Sequence, residues 1–177
     1  MRIILVFLVS VFPFVVAADQ DSSESLALRK SYPIQLYMGA CVAARAQPVN
    51  VEKQATEMGF NETTSDIAKS YLQGHEGKAW VTSNEHGKFA IASQERGLCS
   101  VFIHQGNPDE LIASMEAWLP PKNSGFSYKT ELISESEQLK TTAYKIYRSS
   151  SLMEQWVITI AKQQGGQLAA IMSYSAP

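Results

Sequence analysis

The chain has 177 residues, 45% of them hydrophobic and 18% charged, with a formal net charge of −2 at pH 7. That length suits one ordinary domain with a real core. A mildly acidic chain without a basic run is a poor match for nucleic acid, which recruits clustered Lys and Arg.

The first 18 residues read as a cleaved leader. Met1 and Arg2 form a short positive start, and Ile3 to Val16 is apolar apart from Ser10 and Pro13. Val16-Ala17-Ala18 presents small residues to a signal peptidase, and polar Asp19-Gln20-Asp21-Ser22 follows. The apolar run is short for a bilayer span, which needs roughly 20 residues. Cleavage after Ala18 removes Arg2 and takes the formal charge from −2 to −3. No cysteine stands at the cut, so a lipid-modified N-terminus is not expected, and no later stretch reads as transmembrane. The resulting division is a signal peptide over 1–18, a polar lead-in over 19–31, and one α+β domain over 32–177. An exported chain meets an oxidising compartment, so its two cysteines, Cys41 and Cys99, are expected to form one disulfide.

A helix is predicted from Tyr32-Pro33, with Pro in the first turn where its missing N–H costs nothing. Ile34, Tyr37, Met38, Cys41 and Val42 fall on one face at helical spacing and point Cys41 inward. Pro48 ends that helix or follows it closely. Asn50 is read as the cap of a second helix, Val51 to Met58, stopped by Gly59. Asn61-Glu62-Thr63 has the form of an N-glycosylation triplet, meaningful only in a eukaryotic host. Thr64 and Ser65 can cap a third short helix holding Ile67, Tyr71 and Leu72, closed by Gly74.

Lys78 to His104 reads as an antiparallel meander, its three runs separated by Asn84-Glu85-His86-Gly87 and Gln94-Glu95-Arg96-Gly97. Cys99, Val101 and Ile103 share one strand face, which the first helix should cover. Asn107-Pro108-Asp109-Glu110 is a strong helix start. The helix runs to Leu119 and docks through Leu111, Ile112, Met115 and Trp118, with Pro120-Pro121 as its stop. Strands follow over Phe126 to Ser134, Gln138 to Arg148, Glu154 to Lys162 and Gln167 to Tyr174. Within them Trp156, Ile158 and Ile160 fall on one side. This order is not a βαβ alternation. The expected fold is α+β: a single antiparallel β-sheet of about 6–7 strands, helices packed on one face, and one disulfide.

Little in the chain reads as catalytic. His75, His86 and His104 have no helical i, i+4 pairing and no His-Glu-x-x-His, so no metal site or cofactor is assigned. No Gly-x-Ser-x-Gly elbow activates a serine. The glycines at 74, 77, 87, 97, 106 and 125 sit in turns, not in a phosphate-binding loop. Glu131, Glu135 and Glu137 fall along a strand and the turn after it and read as solvated. No catalytic residue is assigned. Tyr128, Tyr144, Tyr147, Trp156 and Tyr174 give the C-terminal sheet an aromatic character, and they are the candidates for a partner-binding surface.

The leader, the Cys-bearing first helix, Gly77-Lys78-Ala79-Trp80, and Gly97-Leu98-Cys99-Ser100-Val101 before a capped helix resemble a family of small exported bacterial proteins of uncharacterised function. The resemblance spans about Leu36 to Leu119 and implies a bacterial, periplasmic setting. It carries over no catalytic residue, and the C-terminal strands lie outside it.

These readings converge on a non-enzymatic exported binding or accessory protein of the bacterial envelope, periplasmic or secreted, acting on another protein. An immunity-type inhibitor and a secretion-associated factor both fit. The alternatives are a small periplasmic hydrolase using a histidine and a carboxylate gathered by the fold, and a carrier of an apolar small molecule between helices and sheet.

Overall fold

A computed structural model describes residues 27–28, 31–163 and 166–177. The expected leader and nearly all of the lead-in lie outside the described residues. Among those described, no helix is long and apolar enough to cross a membrane.

Over residues 31–177, as far as they are described, the chain builds one eight-stranded antiparallel sheet with four α-helices. In chain order these are α1 (Tyr32–Tyr37), which continues as a π-helical turn (Met38–Val42), α2 (Pro48–Glu57), β1 (Asn61–Glu62) and α3 (Ser65–Leu72). Then come β2 (Gly77–Asn84), β3 (Gly87–Gln94), β4 (Leu98–Ile103) and α4 (Pro108–Glu116). The last four strands are β5 (Phe126–Glu135), β6 (Leu139–Arg148), β7 (Ser151–Ala161) and β8 (Ala170–Ser175). The spatial order β1-β2-β3-β4-β8-β7-β6-β5 is two meanders laid side by side. After β4 the chain crosses through α4 to the far edge and works back until β8 pairs with β4.

Short-range chemistry accounts for the hairpins. Asn84 pairs with Gly87 and Gln94 with Leu98, so the connections are two and three residues long. Gly97 has φ +80, where a side chain would be strained. Gly77 is fixed by close approach, because a Cβ there would stand 2.0 Å from the Ser93 carbonyl oxygen. Asn107 caps α4, its side-chain oxygen accepting from the N–H groups of Asp109 (2.9 Å) and Glu110 (3.3 Å).

The main core lies between α1, α2, α4 and one sheet face. Ile34, Tyr37, Cys41, Val51, Leu111 and Met115 meet Trp80, Ile91, Cys99, Val101, Ile158 and Met172 there. Cys41 and Cys99 are fully buried and joined, with Cα atoms 5.3 Å apart. The π turn carries an i to i−5 bond from Ala43 N–H to Met38 O (2.8 Å). By widening the helix it turns both Ala40 and Cys41 toward the core.

Four expectations are corrected. The sheet has eight strands where about 6–7 were expected, the addition being two-residue β1 at Asn61–Glu62. Pro48 does follow the first helix closely, but the second helix starts earlier than expected: Pro48 stands in its first turn, and Gln47, not Asn50, takes the cap position. The helices do not all pack on one face. Edge strand β1 carries the chain around the sheet, and α3 lands on the opposite face. There Ala68, Leu72 and Tyr71 cover Ala79, Ala90, Ala92 and Phe102. Those alanines admit the helix closely, Tyr71 meets Phe102 edge-on at 5.0 Å, and Gln94 Nε2 donates to the Leu72 carbonyl. Ile67 faces water at 53% exposure. Finally, α4 ends at Glu116, and Trp118 beyond it is 37% exposed instead of docked in the core.

Candidate functional site: an uncovered ribbon

The helical layer does not reach across the whole sheet. The C-terminal end of α4 stands over β6, where Glu116 Oε1 accepts the Tyr144 hydroxyl at 2.7 Å. β5 lies one strand further out and is exposed over all ten residues. Its pairing with β6 sets Tyr128 against Ile146 and Thr130 against Tyr144. By the two-residue alternation of a strand, Phe126, Tyr128, Thr130 and Leu132 look to the helical side, with no helix above them. Phe126 is 42%, Tyr128 45% and Leu132 55% exposed. Ile133 occupies a bulge where the register slips between Leu132 and Ser134, and it is also exposed. This is a contiguous apolar strip on an edge strand, the kind of surface soluble monomers usually blunt.

The charges beside the strip are largely matched within the chain. On the opposite face Lys145 Nζ lies 2.6 Å from Glu131, and that hydrogen bond raises the lysine pKa. Lys162 Nζ lies 2.9 Å from Glu135, and its hydrogen bond lowers the carboxyl pKa. Lys129 stands over the Tyr147 ring, 5.5 Å from its centroid. Exposed pairs of this sort are screened by water and add little to stability, so they shape the surface more than they hold it.

The five aromatic candidates divide between inside and outside. Tyr144, Trp156 and Tyr174 are buried on the helix-covered face and present no surface. Trp156 Nε1 donates to Glu154 Oε2 at 3.0 Å, and Arg45 Nη1 reaches Glu154 Oε1 at 3.6 Å. The Tyr174 hydroxyl is buried beside Glu154. Burial, then the charge of Glu154, pushes its pKa up. Burial followed by the Glu116 hydrogen bond raises Tyr144 as well. Tyr128 and Tyr147 remain at the surface, Tyr128 on the strip and Tyr147 half-buried on the reverse face. The sequence reading missed Phe126 and Leu132, although both share strand parity with Tyr128.

The histidines are not gathered into one site. His75 precedes the Glu76–Glu95 backbone contact at one end of the β2–β3 hairpin, whereas His104 bonds to Lys88 at the other. The six residue steps from Lys88 to Gln94 put those ends about 20 Å apart. His86 stacks on Tyr32, ring centroids 4.5 Å apart. It lines a depression of about 450 Å³ together with Glu110, Ser31 and Ser114. No group of three or more metal-ligating side chains comes together among the described residues. No family model matches the chain, and no curated protein or solved structure is significantly similar to it.

Proposed function

We propose that this chain is an exported, non-enzymatic binding protein of the bacterial envelope that recognises another protein through the β5–β6 ribbon. An immunity-type inhibitor or a secretion-associated factor would use such an element. The observation that carries the reading is the ten-residue edge strand, exposed throughout, with Phe126, Tyr128 and Leu132 in a row. Aromatic and aliphatic anchors of this type concentrate binding energy at protein interfaces, and an open strand edge supplies backbone hydrogen bonds as well. A disulfide closed in the core suits the oxidising compartment that the leader addresses.

The test is site-specific photo-crosslinking in the native envelope. A crosslinking side chain at the Leu132 position is expected to give one discrete adduct with another protein, and the same group at the Ile67 position none. Tyr128→Ala should abolish the adduct. No adduct at the Leu132 position, or an equal one from Ile67, removes the ribbon as the binding element.

The hydrolase reading has one observation in its favour, the His86–Glu110 depression beside the Ser31 to Ser114 hydroxyl bond of 3.1 Å. Its test is hydrolysis of a panel of model ester, amide and glycoside substrates. Activity lost in both His86→Ala and Glu110→Gln would establish it.

A further inference from the structure

We infer that β5 pairs antiparallel with β5 of a second copy of this chain, about a two-fold axis at Thr130, joining two eight-stranded sheets into one. The inference rests on reading the ribbon as this protein's binding element and names a partner for its edge.

Three observations converge on it. First, β5 is an edge strand with no further strand along its outer side among the described residues, so its outward N–H and C=O groups are available to another strand. Second, the sequence on either side of Thr130 complements its own reverse. Folded about Thr130, Lys129 falls opposite Glu131 of the other copy and Tyr128 opposite Leu132. A two-fold axis makes each of these contacts twice, and both kinds are favourable cross-strand pairs.

Third, the charges within one chain are left half-arranged. Lys129 lies directly opposite Lys145 in the β5–β6 ladder, a like-charge pair. Glu131 is drawn to Lys145. Among the described residues no carboxylate forms an ion pair with Lys129, which has only the Tyr147 ring. A second copy places a Glu131 carboxylate across from each Lys129, on the same face, so that Glu131 stands between two lysines and the repulsion is answered. The ladder runs over Tyr128–Leu132, and the bulge at Ile133 marks its end. Such an interface is small, and the dimer is accordingly a weak one. The apolar strips of the two copies become continuous across the axis, doubling the surface offered to a third chain.

Sedimentation equilibrium on the purified protein, over a series reaching about 1 mM, tests this directly. The wild type is expected to approach a dimer at the top of the series. K129E sets carboxylates opposite one another at both contacts and should weaken association about tenfold. The double exchange K129E/E131K restores opposite charges across the axis and should recover it. Unchanged melting temperatures in both variants confirm that they fold. A wild type that stays monomeric throughout overturns the inference, as does a dimer that K129E leaves intact or that the double exchange fails to rescue. Because only this chain is in the cell, the result is independent of the crosslinking test. A monomer that still gives a Leu132 adduct in the envelope assigns the edge to a different protein and leaves the ribbon's role in place.

Discussion

β1 is two residues long and β5 is ten, yet both are edges of the same sheet. The β1 edge is blunted in every available way. It is short, Lys78 bridges Glu52 of α2 and Glu62 of β1 at 2.7 and 3.6 Å, and neighbouring β2 and β3 are covered on both faces. Length limits, charge and cover are the means by which proteins keep strand edges from pairing with strangers. β5 is long and uncovered, and its charges, Lys129 and Glu131, lie on the face away from the strip of Phe126, Tyr128 and Leu132. The difference teaches where each property of the molecule resides. Stability belongs to the disulfide-linked half, where both faces bury apolar area, and β5 contributes little to it. A strand that adds little to folding and still exposes aromatic and aliphatic side chains is better explained by contact with another chain.

The comparison breaks first if the covered half is not the stable one. Trp80 is buried in β2 at 2% exposure, and Trp80→Ala should cost about 3–5 kcal/mol in denaturant unfolding. Next comes the bond between Cys41 and Cys99, which closes a loop with a sequence separation of 58 residues. Its removal in Cys41→Ser/Cys99→Ser should cost about 4 kcal/mol by the loop-entropy argument. Thiol counting on the native protein should find neither cysteine titrating. A loss under about 1 kcal/mol from either change would show that stability is not concentrated there.

How much of this was written legibly in the chain follows the range of the interactions involved. Signals that act within a few residues were readable: Asn107 and Pro108 open α4, Gly87 and Gly97 close hairpins, and two inward cysteines meet. Strand parity was equally informative. It placed Trp156 with Ile158 and Ile160, and read strictly it would have moved Trp156 indoors. The same parity sets Tyr144 with Ile146 and leaves Tyr147 with Lys145 on the outside. Two things had no local signature. A two-residue strand such as β1 is too short to show any period, and it exists only because β2 lies beside it. The face on which α3 packs depends on how the chain rounds the sheet edge, not on the helix's own stripe. That stripe was further disguised because Ala68, its central contact, is small. The ribbon was half legible: Tyr128 stood out as aromatic, but its exposure depends on α4 ending over β6, a tertiary fact.

A smaller effect sharpens the comparison through pH. Burial holds the Tyr37, Tyr144 and Tyr174 hydroxyls protonated above their ordinary value near 10. A group whose folded pKa is raised contributes stability that is complete below the unfolded value and is lost as pH climbs past it. The melting temperature should therefore be level up to about pH 9 and fall above about pH 10. Phenolate absorbance from these three should appear together with unfolding. Tyr144→Phe removes one of the titrating groups and should make the fall shallower. A melting temperature that keeps level through this range would mean that these hydroxyls are open to water.

The smallest expected effect is the most diagnostic. Leu132 is 55% exposed on β5, so Leu132→Ala removes side-chain atoms that are already largely in water. Buried leucine truncations cost about 2–5 kcal/mol through lost transfer energy and the cavity left behind. At Leu132 there is no cavity to leave, and the change in unfolding free energy should stay within about 0.5 kcal/mol. Leu72, 5% exposed on the sheet-facing side of α3, provides the internal control, since the same truncation there falls in the buried range. If Leu132→Ala instead cost as much as Leu72→Ala, the strip would have to be covered within the single chain. The asymmetry between the two edges, and the binding role drawn from it, would then fall together. A neutral Leu132→Ala that nonetheless loses its partner separates recognition from folding on a single side chain.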